Sequence, residues 1–164
     1  MRTKVQNLSQ TLGTAQNNDL KSKYKLNGNG DSIVDFAKSF LGKKENDGSA
    51  DIFWQGIGKN WSSKSYPWCA AFVSYVLTQQ GIDMTGVHKG SVSGIGKWGE
   101  QNNKYKTGSQ ANTSNVKAGD VATWQGGYYS GHTGIVSKVY SDGTYDTIEG
   151  NYSNKVCEVK GNYN

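Results

Sequence analysis

Proline occurs once in the 164 residues, at Pro67, so changes of chain direction fall to the 22 glycines. Cysteine occurs twice, at Cys69 and Cys157, too few for a disulfide scaffold. A bridge between those two would also remove Cys69 as a nucleophile. No C-x-x-C pair exists and the only histidines are His88 and His132, which leaves a zinc site without support. Apolar runs of about 18 residues are absent, so no transmembrane helix is expected. The N-terminus has no apolar stretch of the secretory kind. A protein of this sequence working outside a cell leaves by another route, or the chain is one piece of a longer protein. Runs of Lys and Arg are absent too, so the net charge of +5 does not point to nucleic acid. That mild positive balance suits a polyanionic partner, such as an anionic membrane or a teichoic-acid-bearing wall, or simply solubility. Internal repeats are also missing.

What is present suits one domain of ordinary size. Residues 1–30 are polar and read as an arm or linker, with Val5, Leu8 and Leu12 spaced for a short amphipathic helix as the alternative. Asn27-Gly28-Asn29-Gly30 is a turn and marks the boundary of a folded domain over 31–164. Asp31 or Ser32 caps a helix whose stripe is Ile33, Val34, Phe36, Ala37, Phe40 and Leu41, closed by Gly42. Residues 43–64 read as irregular. There Glu45, Asp47 and Asp51 offer oxygen ligands for calcium, at a spacing that matches no standard loop. Solvated loop carboxylates are the plainer reading.

After Pro67 a helix begins at Cys69, with Phe72, Val73, Val76 and Leu77 apolar and Gly81 as its stop. Val92, Ile95 and Trp98 suggest a further short helix, weakened by Gly94 and Gly96. From residue 116 the pattern turns to strands, over 121–124, 132–140, 144–149 and 155–160. Asp142-Gly143 makes a hairpin turn, residues 125–131 a glycine-rich loop and residues 150–154 another. Helices followed by an antiparallel meander imply an α+β fold, with N-terminal helices packed on the sheet.

The chemistry gathers at three positions. A thiol attacks as the thiolate, and a free cysteine titrates near 8.5. Cys69 opens a helix, where unpaired N–H groups and the helix dipole favour negative charge and can hold an oxyanion. Otherwise a lone cysteine is a small buried hydrophobe. His132 starts a strand after a loop and can act as general base and acid; a histidine bonded to backbone is the alternative. In the hairpin around Asp142-Gly143 the end of one strand lies beside the start of the other, which sets Glu149 near His132. A carboxylate there can orient the imidazole by its second nitrogen, and Asn151 can do the same or orient the loop. Trp68, Trp124, Tyr128 and Tyr129 flank these positions as aromatic walls for sugars and peptides, or as core. Cys157 sits in an alternating strand and reads as structural.

Four blocks in this order carry a resemblance: Trp68 to Ser74, Gly119 to Trp124, Gly131 to Val136, and Ile148 to Asn151. Together they resemble the CHAP family, the cysteine, histidine-dependent amidohydrolases/peptidases, from about Ser32 to the C-terminus. NlpC-type relatives carry Asp before the cysteine and a second histidine as orienter; Trp68 and Glu149 set this chain nearer to CHAP. The resemblance implies a papain-like fold and cleavage of amide bonds in peptidoglycan. It implies Cys69 as nucleophile, His132 as base, and Glu149 with Asn151 as polar orienters. No cofactor is required; some members bind calcium, but their acidic pattern is not clear here. More strand than this chain carries is expected after the fourth. Such domains occur in phage lysins, tail-associated and conjugation proteins and autolysins. The expected place of action is therefore the bacterial cell wall, extracellular or virion-associated, with further domains or subunits of a lytic or phage assembly as partners. A wall-binding or phage structural module of the same fold, or a thiol transferase, are the competing readings.

Overall fold

The computed structural model describes residues 28–124 and 131–162. The arm expected over 1–30 lies almost wholly outside them. Among the described residues are four helices followed by four strands, an α+β chain. The helices are α1 (Gly30–Lys38), α2 (Asp51–Gly56), α3 (Cys69–Gln79) and α4 (Val92–Gln101). The strands are β1 (Val121–Trp124), β2 (His132–Val139), β3 (Tyr145–Tyr152) and β4 (Lys155–Asn162), antiparallel in the order β1-β2-β3-β4. None of the described helices is long and apolar enough to cross a membrane.

The first cap differs from the expected one. Asn29 holds an extended backbone, and its side chain accepts the amide of Ser32 at 2.8 Å. Asp31 instead sits in the first turn, where its charge complements the helix dipole. The helix also closes early, at Lys38. Phe40 and Leu41 then donate to Ala37 and Lys38, the tighter bonding common at helix ends. Leu41 leaves the apolar stripe and is 45% exposed. Gly42, at φ 87°, turns the chain so that its amide reaches Val156 of β4.

Helix α2 falls within the stretch read as irregular. It has six residues between Gly48 (φ 78°) and Gly58 (φ 86°), too short to show a periodic stripe. It nevertheless supplies Phe53 and Trp54 to the core. Phe53 sits amid Phe40, Phe72 and Tyr75, and stacks on Trp68 at 5.6 Å and 15°.

Helix α3 is the axis of the core. Eight of its eleven residues are buried, as expected of a helix that is apolar on nearly all sides. The amides of Gly81 and Ile82 donate to Thr78 and Leu77, closing it with a Schellman motif, and Gly81 takes φ 81°. Gln80 ties this end to the domain's start, accepting from the Gly28 amide and donating to the Ser32 carbonyl. Ile135 of β2 and Ile148 of β3 join the same core cluster as α3. Ser91 caps α4, accepting the Gly94 amide at 3.2 Å.

The Asp142-Gly143 turn is as expected, with Gly143 at φ 89° and Asp142 accepting from both amide and hydroxyl of Thr144. The next turn is not. Residues 150–152 continue β3, and the connection shrinks to Ser153-Asn154, at φ 50° and 64°. Two successive positive φ values mark the two-residue hairpin that matches strand twist.

Phe53→Ala should remove about 3–5 kcal/mol of stability, the usual loss for a fully buried phenylalanine. Urea denaturation of the variant against the wild type measures it.

Candidate active site

Cys69 is the first residue of α3 and is 6% exposed. Trp68 occupies the cap position, and its side chain makes no cap bond to the first turn. The N–H groups of that turn are therefore left to whatever lies in front of Cys69. Pro67 holds the lead-in. Both cysteines are free.

His132 opens β2, paired with Trp124 of β1. Its Nε2 lies 2.6 Å from Oε2 of Glu149, across the hairpin that Asp142-Gly143 closes. The Cys69 thiol lies within reach of the same ring and is the larger influence on its charge. With Nε2 taken by the carboxylate, Nδ1 is the ring nitrogen left for sulfur. Cys69 first, and Glu149 second, push the imidazole up from 6.5 to about 9, against burial, which pulls it down. The indole of Trp124 lies along the imidazole, centroids 5.8 Å apart and planes 27° from parallel. An aromatic face beside a protonated ring adds to the preference for the cation.

Glycine lets these elements meet. A Cβ on Gly150 would stand 2.5 Å from Cβ of Phe72 and 3.0 Å from Cζ3 of Trp68. Only glycine allows β3 so close to the start of α3. A Cβ on Gly134 would stand 2.7 Å from Cγ of Glu149.

The CHAP domain model matches residues 61–151, more than half of the chain, a span that holds Cys69, His132 and Glu149 and leaves out α1, α2 and β4. The chain belongs to the CHAP family. Membership makes it, at a coarse level, one of a family of hydrolases linked to peptidoglycan. No curated protein and no solved structure matches the chain.

Within this CHAP domain the residues singled out from sequence separate into two groups. Cys69, His132 and Glu149 come together. Asn151 does not join them: it is half-buried at φ 58°, with no hydrogen bond to His132 among the described residues. Glu149 already fills the place at Nε2 that an orienting amide would take. Trp68 is corrected from groove wall to core. It is fully buried, stacks on Phe53, and donates its indole N–H to Oε2 of Glu45 at 3.2 Å. Tyr128 and Tyr129 lie outside the described residues. His88 lines a separate cavity of about 460 Å³ with Asp83 and Trp98.

The three carboxylates considered for calcium serve separate partners. Glu45 holds Trp68, Asp47 accepts the Ser49 amide, and Asp51 accepts the amide and hydroxyl of Ser63. No group of three His, Cys, Asp or Glu side chains among the described residues is placed to hold a metal ion.

Two residues of the site carry no signal in the motif blocks. Thr147 donates to Glu149, and Asn162 donates to Thr147. Strand alternation places Thr147 on the face of Glu149, two residues away, and is the one hint available. Nothing in the sequence ties Asn162 to it.

The raised histidine has a sign that can be checked. Its charged form is favoured in the fold, so its contribution to stability is whole below 6.5 and is lost as pH rises through about 9. A ring-proton NMR titration of His132 should show a midpoint near 9 in the wild type and a clear fall in Cys69→Ala, which removes the larger cause.

Proposed function

We propose that this CHAP domain is a cysteine amidase or endopeptidase that cuts amide bonds in the peptide part of peptidoglycan, through a papain-like arrangement of Cys69, His132 and Glu149. The observation that carries the reading is the single imidazole bonded to a buried carboxylate on the neighbouring strand and placed beside a thiol at the start of a helix. A protein that only binds wall polymer has no use for all three.

The geometry supports a two-step reaction. The Cys69 sulfur, its proton passed to Nδ1 of His132, attacks the amide carbonyl. The carbonyl oxygen gains negative charge as the C–S bond forms. First-turn N–H groups of α3, uncapped by any side chain, are placed to stabilise it. When the C–N bond breaks, His132 gives its proton to the leaving amine, and a thioester remains on Cys69. Neutral imidazole then takes a proton from water, and the hydroxide releases the acid and restores sulfur. Glu149 holds the ring in one orientation throughout and stabilises its charged form.

Peptidoglycan as substrate rests on the family. The net charge of +5 adds attraction to an anionic wall. Action at the bacterial cell wall, outside the cell or on a virion, follows from that substrate. Either the muramoyl–alanine bond or a bond within the peptides fits the chemistry.

Cys69→Ala should abolish release of new amino groups from purified cell walls while leaving the melting temperature nearly unchanged. His132→Ala should lower kcat by roughly 10²–10⁴, the usual range for a general acid–base. Retained hydrolysis in Cys69→Ala ends the thiol mechanism. Mass spectrometry of the wild-type digest identifies the bond: free muramic ends mean amidase, new peptide amines mean endopeptidase.

A further inference from the structure

The second oxygen of Glu149 is not left to water. Oε1 accepts the hydroxyl of Thr147 at 2.5 Å, where Glu149 is 2% and Thr147 0% exposed. The hydroxyl oxygen in turn accepts Nδ2 of Asn162 at 3.0 Å. This chain has one possible polarity. The amide nitrogen of Asn162 can only donate, so the threonine oxygen acts there as acceptor. Its single proton is then free for Glu149, whose carboxylate can only accept. Donation runs from Asn162 through Thr147 to Glu149, while His132 approaches the other carboxylate oxygen.

We propose that Thr147, oriented by Asn162, is a positioning residue: its hydroxyl fixes the rotamer of Glu149 and stabilises its carboxylate, and so keeps the His132 ring aimed at Cys69. The proposal rests on the thiol-hydrolase reading above and deepens it. A buried carboxylate loses its hydration and needs a donor on each oxygen. His132 serves one oxygen. No Lys or Arg among the described residues forms an ion pair with Glu149. Cys69 comes from α3, Trp124 from β1, and Tyr145 from β3, its phenol held above its usual range chiefly by burial. Cys157 pairs opposite Glu149 on β4. The second donor is therefore the neutral hydroxyl of Thr147. Gly134 completes the seat, since a Cβ there would press on Cγ of Glu149 at 2.7 Å.

Thr147→Val keeps the shape and removes the donor; Thr147→Ser keeps the donor. The first readout needs no substrate: the rate at which iodoacetamide alkylates Cys69 at about pH 6, well below the range where an ordinary thiol reacts, with peptide mapping to separate Cys69 from Cys157. Thr147→Val should slow it about tenfold, as expected for one lost hydrogen bond to a charged group. On cell walls kcat should fall alike, with KM unchanged. Thr147→Ser should stay near wild type, and Asn162→Ala, at a half-buried strand end, should fall between. A folded Thr147→Val that alkylates at the wild-type rate overturns the relay, as does Thr147→Ser failing as badly as valine. Should the valine variant not fold, Asn162→Ala decides, and a wild-type rate there overturns the relay. If wild-type Cys69 alkylates no faster than Cys157 at that pH, the Cys69–His132 pairing is gone and the relay with it. That outcome is distinct from a failed relay on an intact pair.

Discussion

Everything at the site depends on how closely β3 approaches the first turn of α3. At Gly150 the strand backbone lies where a single methyl group would strike Phe72 and Trp68. Trp68 cannot give way, because Phe53 stacks on it and Glu45 holds its indole nitrogen. Phe72 is likewise held against Phe53. The aromatic core therefore acts as a stop that fixes the distance between helix start and sheet. Close packing of this kind transmits position well, since interiors compress little. One residue before Gly150 stands Glu149, and one residue after Trp68 stands Cys69. The contact that seals the core thus sets the separation of the reactive groups.

Electrostatics then works within that frame. His132 is half-covered and lies between a thiol and a buried carboxylate, and both favour its charged form. Glu149 is the costly member, being almost wholly out of water. Its cost is offset by bonds to both oxygens, from His132 on β2 and Thr147 on β3. The network closes only in one register. A slip of one residue would turn Glu149 and Thr147 to the other face together and bring Ile148 into their place. The turns at Asp142-Gly143 and Ser153-Asn154 guard that register from both ends of β3.

How much of this is legible in the sequence varies with the range of the interaction. Cys69, His132 and Glu149 are readable because each is placed by a local signal: a proline and an apolar helix, a glycine loop before a strand, and an Asp-Gly turn. The hairpin turn alone pairs the last two. The α+β order of elements is readable for the same reason. Helix α2 is not, because six residues between glycines carry no period. Trp68 misleads, since a tryptophan beside a nucleophile suits a groove wall and a core equally. What decides is Glu45, 23 residues upstream, and no local pattern announces that bond. Asn151 misleads differently. It lies near enough in sequence to serve the histidine, but the hairpin ends beyond it, and its positive φ turns the strand there.

A carboxylate in the orienting place, where an amide can also serve, has a consequence of its own. An amide fixes the ring through a neutral bond and leaves the imidazolium to be stabilised by sulfur alone. Glu149 adds charge, so the protonated ring has support on two sides. In the proposed reaction, that support suits the step in which His132 carries a proton to the leaving amine. It suits less well the later step, in which neutral imidazole must take a proton from water, because a raised histidine is slow to become neutral. The partial exposure of His132, 32% of its side chain, tempers this by leaving one edge of the ring in water. In the proposed reaction the thiol is also consumed in the first step: once Cys69 carries the acyl group, the larger of the two causes that hold the histidine up is gone. On the proposed mechanism the ring is thus most basic while the thiol is free and easier to neutralise after acylation, in the order that its two steps require.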